Sequence, residues 1–214
     1  MSHYLPYAIR PMEPGDVPAV VAIDRLSFPT PWLASSYLYE LRHNTHSFYY
    51  SLLKPALHSA IDEPARSGQG WLHRLRSALR PAEESRVIGY VGLRFNATEA
   101  HVSTIAVHPD WRGKGLGELL LLTAMEKAVE LQATAVSLEV RPSNEVAQHL
   151  YHKYGFRFTG IHRGYYRDGE DAWLMEVDAN QGAYPARLVE MRYTLESRLR
   201  LQRTSVGQNA GDTL

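Results

Sequence analysis

Thr104-Ile105-Ala106-Val107-His108-Pro109-Asp110-Trp111-Arg112-Gly113-Lys114-Gly115-Leu116-Gly117 joins an apolar, β-branched run to a strong helical pattern through three glycines. A strand reading stops at Val107, because Pro109 has no N–H for a ladder. The glycines permit positive φ and let backbone N–H groups approach a ligand closely. The helix they open, Leu116 to Leu131, carries apolar residues at 116, 119, 120, 122, 125 and 129. A helix N-terminus offers unpaired N–H donors and a partial positive charge, so the turn suits a pyrophosphate. Arg112 and Lys114 add charge beside it. Dinucleotide and P-loop readings fit less well: G-x-G-x-x-G needs a glycine where Glu118 stands, and the P-loop pattern is absent. Spacing alone leaves a tight glycine loop without a ligand as an alternative.

Working upstream, Ala100 to Val107 and Val87 to Phe95 read as two strands joined by the polar turn Asn96-Ala97-Thr98-Glu99. Before them, Tyr7 to Met12 reads as a strand. The stretch from Val17 to Leu26 reads as a helix, Leu33 to Arg42 as a second, and Ser47 to Leu53 as another strand. Residues 54–85 are rich in Pro, Ser, Gly, Glu and Arg and read as an insertion with a short amphipathic helix around Trp71 to Leu79. Downstream, Ala135 to Val140 alternates, with Val136, Leu138 and Val140 on one face and Ser137 and Glu139 on the other. Ser143 is placed to cap a helix from Asn144 to Tyr154, which Gly155 ends. Phe156 to Ile161 and Ala172 to Val177 complete the strands. Pro185 to Leu201 reads as a further helix, and the residues from about Arg203 as a loose polar tail. The order is mixed α/β: a domain over 7–178 with an insertion at about 54–85, then a C-terminal helical extension over 179–214.

The 214 residues are 44% hydrophobic and 21% charged, which is globular. Lys+Arg and Asp+Glu balance at 23 each, so no global field draws the chain to nucleic acid or an anionic membrane. With no cysteine, disulfides, thiolate metal sites and a cysteine-bound acyl intermediate are excluded, so acyl transfer is direct or uses another nucleophile. No signal-peptide pattern or membrane-length apolar run is visible, and a cytoplasmic location is expected. Ten histidines show no H-E-x-x-H or similar ligand spacing, so no metal is expected; His149 and His152 read as surface residues.

Arg112-Gly113-Lys114-Gly115-Leu116-Gly117 fits the pattern (Q/R)-x-x-G-x-(G/A), and with it the chain resembles the GNAT N-acetyltransferases. Leu138-Glu139-Val140-Arg141-Pro142-Ser143-Asn144, Leu150-Tyr151, Gly155-Phe156, Arg163-Gly164-Tyr165-Tyr166 and Glu170-Asp171-Ala172 narrow the likeness to the bacterial ribosomal-protein-alanine N-acetyltransferases. The resemblance implies the GNAT fold, a mixed, splayed sheet flanked by helices, with acetyl-CoA as co-substrate in the splay. It implies an acceptor that is a protein N-terminal alpha-amine, with a ribosomal protein beginning in alanine as the partner. It implies that Ile105, Ala106, Val107, Arg112, Gly113, Lys114, Gly115, Leu116, Gly117, Glu118 and Asn144 hold the cofactor. Glu139 is then the general base, Tyr151 the general acid, and Tyr165 and Tyr166 wall the substrate groove.

The chemistry agrees with those roles. An alpha-amine has a pKa of about 7.7–8.0, so near neutrality it must lose a proton before it can attack. A positioned carboxylate can take that proton directly or through water. Glutamate is depleted in strands, which makes Glu139 conspicuous, although a solvated strand residue is the ordinary alternative. A tyrosine hydroxyl can protonate a departing thiolate. Tyr151 matches the Asn-x6-Tyr spacing from Asn144, with Tyr154 as the competitor and core packing as the plain reading. Acetylation of a small amine or a lysine side chain remains the rival within the fold. A non-catalytic CoA-binding or ribosome-interaction module using the basic stretch 66–80 is the rival outside it.

Overall fold

The computed structural model describes residues 5, 7–54, 86–180 and 182–208. The insertion's expected helix and the basic stretch 66–80 lie outside the described residues.

The described chain runs β1 (Ala8–Pro11), α1 (Val17–Ser27), α2 (Ala34–His43), β2 (Ser47–Leu53), β3 (Val87–Asn96), β4 (Glu99–Val107), α3 (Leu116–Glu130), β5 (Ala135–Val140), α4 (Glu145–Lys153), β6 (Arg157–His162), β7 (Ala172–Asp178) and α5 (Tyr184–Gln208). The strands form one sheet in the order β1-β2-β3-β4-β5-β7-β6. All neighbours are antiparallel except β4 and β5, whose crossover is α3. That is the mixed α/β class expected from the sequence.

The β4–β5 pairing is short, and the site depends on this. It begins at Glu99↔Ala135 and its register ends at Val102↔Leu138. At that level β4 carries a bulge: Gly92 pairs with Thr104 and Leu93 with Val102, which leaves Ser103 over. An extra residue bends a strand and increases its local twist. Beyond Val102 the two strands therefore part, leaving the edges of Ser103–Val107 and Glu139–Val140 facing a gap.

The sheet is covered on both faces. On one, α3 buries a run of four leucines, Leu119, Leu120, Leu121 and Leu122, each at most 1% exposed. Four successive residues can all be buried because the sheet lies beneath the helix and α5 above. Leu188, Leu195 and Leu199 of α5 join the same core. Arg192 pairs with Glu126, and Arg198 Nη2 lies 2.6 Å from Glu118 Oε2. On the other face α1 and α2 enclose Val17, Val20, Ile23, Tyr37, Tyr49 and Tyr90.

Two expectations are corrected. The C-terminal helix, expected to end at Leu201, continues to Gln208, and it packs on the main core through Leu188, Leu195 and Leu199. Its last turns are polar, but they contain no proline, and the first glycine comes at 207. The cap of α4 is Asn144, not Ser143: Asn144 Oδ1 accepts from the Ala147 N–H at 3.2 Å. The Ser143 N–H instead donates to Glu170 at 3.0 Å.

Candidate active site

The gap between β4 and β5 opens into a cavity of about 410 Å³. Thr104 and Ile105 line it from β4, and Glu139 and Arg141 from β5 and its end. Asn144 and Tyr151 reach it from α4. Its outer walls are the loop after α1, with Phe28 and Trp32, and the β6–β7 loop, with Tyr165, Tyr166 and Arg167. The two residues expected to carry catalysis thus share one cavity.

Glu139 sits on β5 with its side chain 16% exposed. Its Oε2 lies 3.0 Å from His101 Nε2, and His101 Nδ1 is 3.1 Å from Ser137 Oγ. Burial raises the Glu139 carboxyl pKa, but the hydrogen bond and charge of His101 and the charge of His162 outweigh it and hold the carboxyl below the ordinary range. The group is a carboxylate at neutral pH. His101 was not singled out from the sequence. It is opposite Ser137 in the parallel pair, one step diagonal from Glu139, and that neighbourhood exists only once the pairing is known.

Tyr151 is 6% exposed, and its ring meets Phe156 at 5.8 Å between centroids. Burial pushes the phenol pKa well up, so it keeps its proton throughout the accessible pH range. Its hydroxyl makes no protein hydrogen bond among the described residues. Tyr154, the competing tyrosine, is fully buried elsewhere and points its hydroxyl at Glu118, 3.3 Å away.

The β6–β7 loop is tied down by charge. Arg141 Nη1 lies 2.9 Å from Asp168 Oδ2 and 2.6 Å from Glu170 Oε2, with its guanidinium 3.7 Å from the Tyr166 ring centre. Hydrogen bonds from Ser143 and Arg141 pull Glu170 down to about 2. Tyr165 stacks on His162 at 5.5 Å and meets Tyr166 edge-on at 5.1 Å. Both expected wall residues therefore face the cavity on a fixed loop.

The glycine turn stands at the N-terminus of α3, outside the cavity lining. Gly113 and Gly115 have φ of +75° and +79°, the left-handed conformation the sequence implied. A Cβ on Gly113 or Gly117 would meet nothing within 4 Å, so the outer face of the turn is open to a bulky anion. The charged neighbours are less free than their types suggested. Arg112 Nε donates to the Val107 carbonyl and its Nη2 to Ser27 Oγ, each at 2.9 Å, so it braces the turn against α1. Lys114 Nζ donates to the Asp110 carbonyl and lies over the Trp111 ring. The Glu118 side chain turns away altogether. It is taken by Lys153 at 2.5 Å and Arg198 at 2.6 Å, which leaves only its backbone N–H for a ligand. Ala106 and Val107 are buried, and of the three expected strand residues only Ile105 lines the cavity. Among the described residues no group of His, Asp or Glu could hold a metal, and no helix is long and apolar enough to cross a membrane.

The left-handed turn is testable. Gly115→Ala forces a side chain into positive φ and brings its Cβ to 3.0 Å from Arg198 Nη2. It is expected to lose about 1–2 kcal/mol in urea unfolding. Gly117→Ala, with open space and no positive φ, stays within about 0.5 kcal/mol of wild type.

Residues 19–156 match the model of the acetyltransferase (GNAT) family. The chain belongs to the GNAT family. It is a GNAT N-acetyltransferase, and the enzymes of this family draw their acyl group from acetyl-CoA. A Bacillus subtilis protein whose name, ribosomal protein bS18-alanine N-acetyltransferase, is itself provisional is 33% identical over 175 residues, covering 81% of this chain and 97% of its own. An N-alpha-acetyltransferase of Sulfurisphaera tokodaii is 30% identical over 170 residues, covering 79% and 91%. The solved ribosomal-protein-S18-alanine N-acetyltransferase of Escherichia coli superposes with a TM-score of 0.62 at 23% identity, covering 82% of this chain and 96% of that one. That likeness shows the GNAT fold and adds nothing on the substrate.

Proposed function

We propose that this GNAT enzyme transfers an acetyl group from acetyl-CoA to the alpha-amine of a protein N-terminus, with a ribosomal protein beginning in alanine as the acceptor. The observation that carries the reading is that Glu139, held by His101, lines one cavity with Tyr151 at the point where β4 and β5 part. The names of the relatives supply the acceptor class.

The geometry supports the following roles. The N–H groups at the start of α3 take the pyrophosphate of the donor. The free edge of Ser103–Val107 takes its extended arm as a missing strand would, which places a thioester acyl group in the splay. A backbone N–H around Val107 offers a donor to the acyl oxygen as it gains charge. Asn144 Oδ1 accepts the capping bond, and its amide N–H groups remain for the cofactor.

The depressed Glu139 is a poor match for a resting ammonium near pH 8, from which removing a proton would be uphill. It works better on the nitrogen during attack, when bonding to carbon makes its N–H far more acidic. His101 holds the carboxylate in place and offers the proton a way out. Tyr151, kept protonated, donates to the departing sulfur. Arg141 keeps Tyr165 and Tyr166 in place as the wall against which the acceptor's first residue lies.

The test uses purified protein, acetyl-CoA and short peptides with free or blocked N-termini, followed by CoA thiol release and mass spectrometry. A free alanine alpha-amine is expected to be acetylated, and a blocked peptide with a lysine side chain is not. Acetylation confined to lysine or to a polyamine overturns the acceptor assignment.

A further inference from the structure

The acidic residue that follows the glycine turn is balanced twice over. Glu118, in the first turn of α3, is 8% exposed. Its Oε1 lies 2.5 Å from Lys153 Nζ of α4, and its Oε2 lies 2.6 Å from Arg198 Nη2 of α5. Burial raises the Glu118 pKa, but the hydrogen bonds from Lys153 and Arg198 outweigh it, so the group is a carboxylate. Lys153 is enough to offset that charge. Arg198 is then a positive charge in excess, set beside a helix N-terminus that is itself partly positive. An anion at the turn relieves that repulsion.

Arg198 also reaches the turn directly. Its Nη2 stands 3.0 Å from the position a Gly115 Cβ would take, at the residue that opens α3. Leu195 and Leu199, each 1% exposed, pack against the same position at 3.6 Å and hold this part of α5 in place. The Arg198 side chain is nevertheless 47% exposed. A guanidinium has five N–H donors, and among the described residues only Nη2 of Arg198 is engaged. The cations of the turn itself are more committed, since Arg112 donates to Val107 and Ser27, and Lys114 to Asp110.

We propose that Arg198 binds the pyrophosphate of acetyl-CoA, so that the C-terminal helix completes the donor site. The proposal rests on reading the start of α3 as the place where the donor's pyrophosphate sits. It is independent of which amine accepts the acetyl group. The planar fork of a guanidinium suits two phosphate oxygens at once. Glu118 is then a positioning residue, holding Nη2 while the remaining donors face outward, and Lys153 keeps its carboxylate from repelling the ligand. The family match ends at residue 156, so α5 lies outside the part of the chain that carries the family pattern.

The test is calorimetry on the full chain with CoA and with dephospho-CoA, which keeps the pyrophosphate but lacks the 3′-phosphate. Arg198→Gln is expected to weaken both ligands about tenfold, the effect of losing a charge-assisted hydrogen bond. Arg198→Lys restores affinity to within about threefold of wild type. A second comparison separates phosphate binding from mere balancing of Glu118. If balancing were the whole role, the Glu118→Gln, Arg198→Gln double variant would bind CoA as well as Glu118→Gln does. The proposal expects it to bind about tenfold more weakly. This comparison also serves if Arg198→Gln alone fails to fold, as judged by its melting curve, because the double variant leaves no buried carboxylate short of a partner. Unchanged affinity in Arg198→Gln, equal binding by the double variant and Glu118→Gln, or a loss seen with CoA and absent with dephospho-CoA overturns the proposal. A wild type that binds neither ligand overturns the donor-site reading and the proposal with it. CoA binding without turnover of any amine overturns only the function proposed above, and the calorimetry still decides Arg198.

Discussion

Glu139→Gln is expected to lower kcat/KM for the acceptor about 10²–10³-fold, the range of a lost general base, while CoA binding stays within about threefold. The substitution keeps the shape of the side chain and its contact with His101 but removes the negative charge. The pH profile separates this role from a structural one. Burial raises the carboxyl pKa, and His101 and His162 lower it further than burial raises it, so it is ionised from about pH 6 upward. A rise in kcat/KM between about pH 6 and 8 is therefore not the titration of Glu139, and it is expected to follow loss of the acceptor's own proton. The midpoint is expected to move when the peptide is replaced by one with a less basic amine, and to stay where it is in Glu139→Gln while the plateau falls. A midpoint that ignores the acceptor's basicity would sink this assignment.

Tyr151→Phe is the second large effect, a fall in kcat of about 10²-fold with CoA affinity within about threefold. Its melting temperature should match wild type, because the hydroxyl removed has no protein hydrogen bond among the described residues and the ring keeps its packing against Phe156. Tyr154→Phe provides the contrast. It removes a contact to Glu118 inside the core and is expected to cost stability and leave kcat nearly unchanged. If the two variants exchange these behaviours, the assignment of the acid is wrong. Stability is measured by thermal unfolding, turnover by CoA release, and affinity by calorimetry with CoA.

The elements were largely legible because their signals are local. Periodicity in Leu116–Leu131 and alternation in Ala135–Val140 depend on residues a few positions apart, and both elements stand where those patterns put them. Capping was less legible. Ser143 and Asn144 are both good cap residues, and the choice between them fell to Glu170, a partner 27 positions away that takes the Ser143 N–H. Charged side chains were the least legible. Arg112, Lys114 and Glu118 sit in the motif, yet each spends its side chain on a partner that the motif does not contain: Ser27, the Asp110 carbonyl with the Trp111 ring, and Lys153 with Arg198.

By itself the sequence determined the α/β class, the left-handed glycine turn at the start of α3, and the presence of Glu139 and Tyr151 on a strand and the helix after it. These follow from backbone preference and from patterns that short segments carry alone. Only the tertiary structure decided that β4 and β5 part after Val102, that His101 stands against Glu139, and that Tyr151 rather than Tyr154 meets the cavity. Each of those depends on strand pairing or on a hydrogen bond between residues distant in the chain. No local window contains both partners, so no local pattern can announce them.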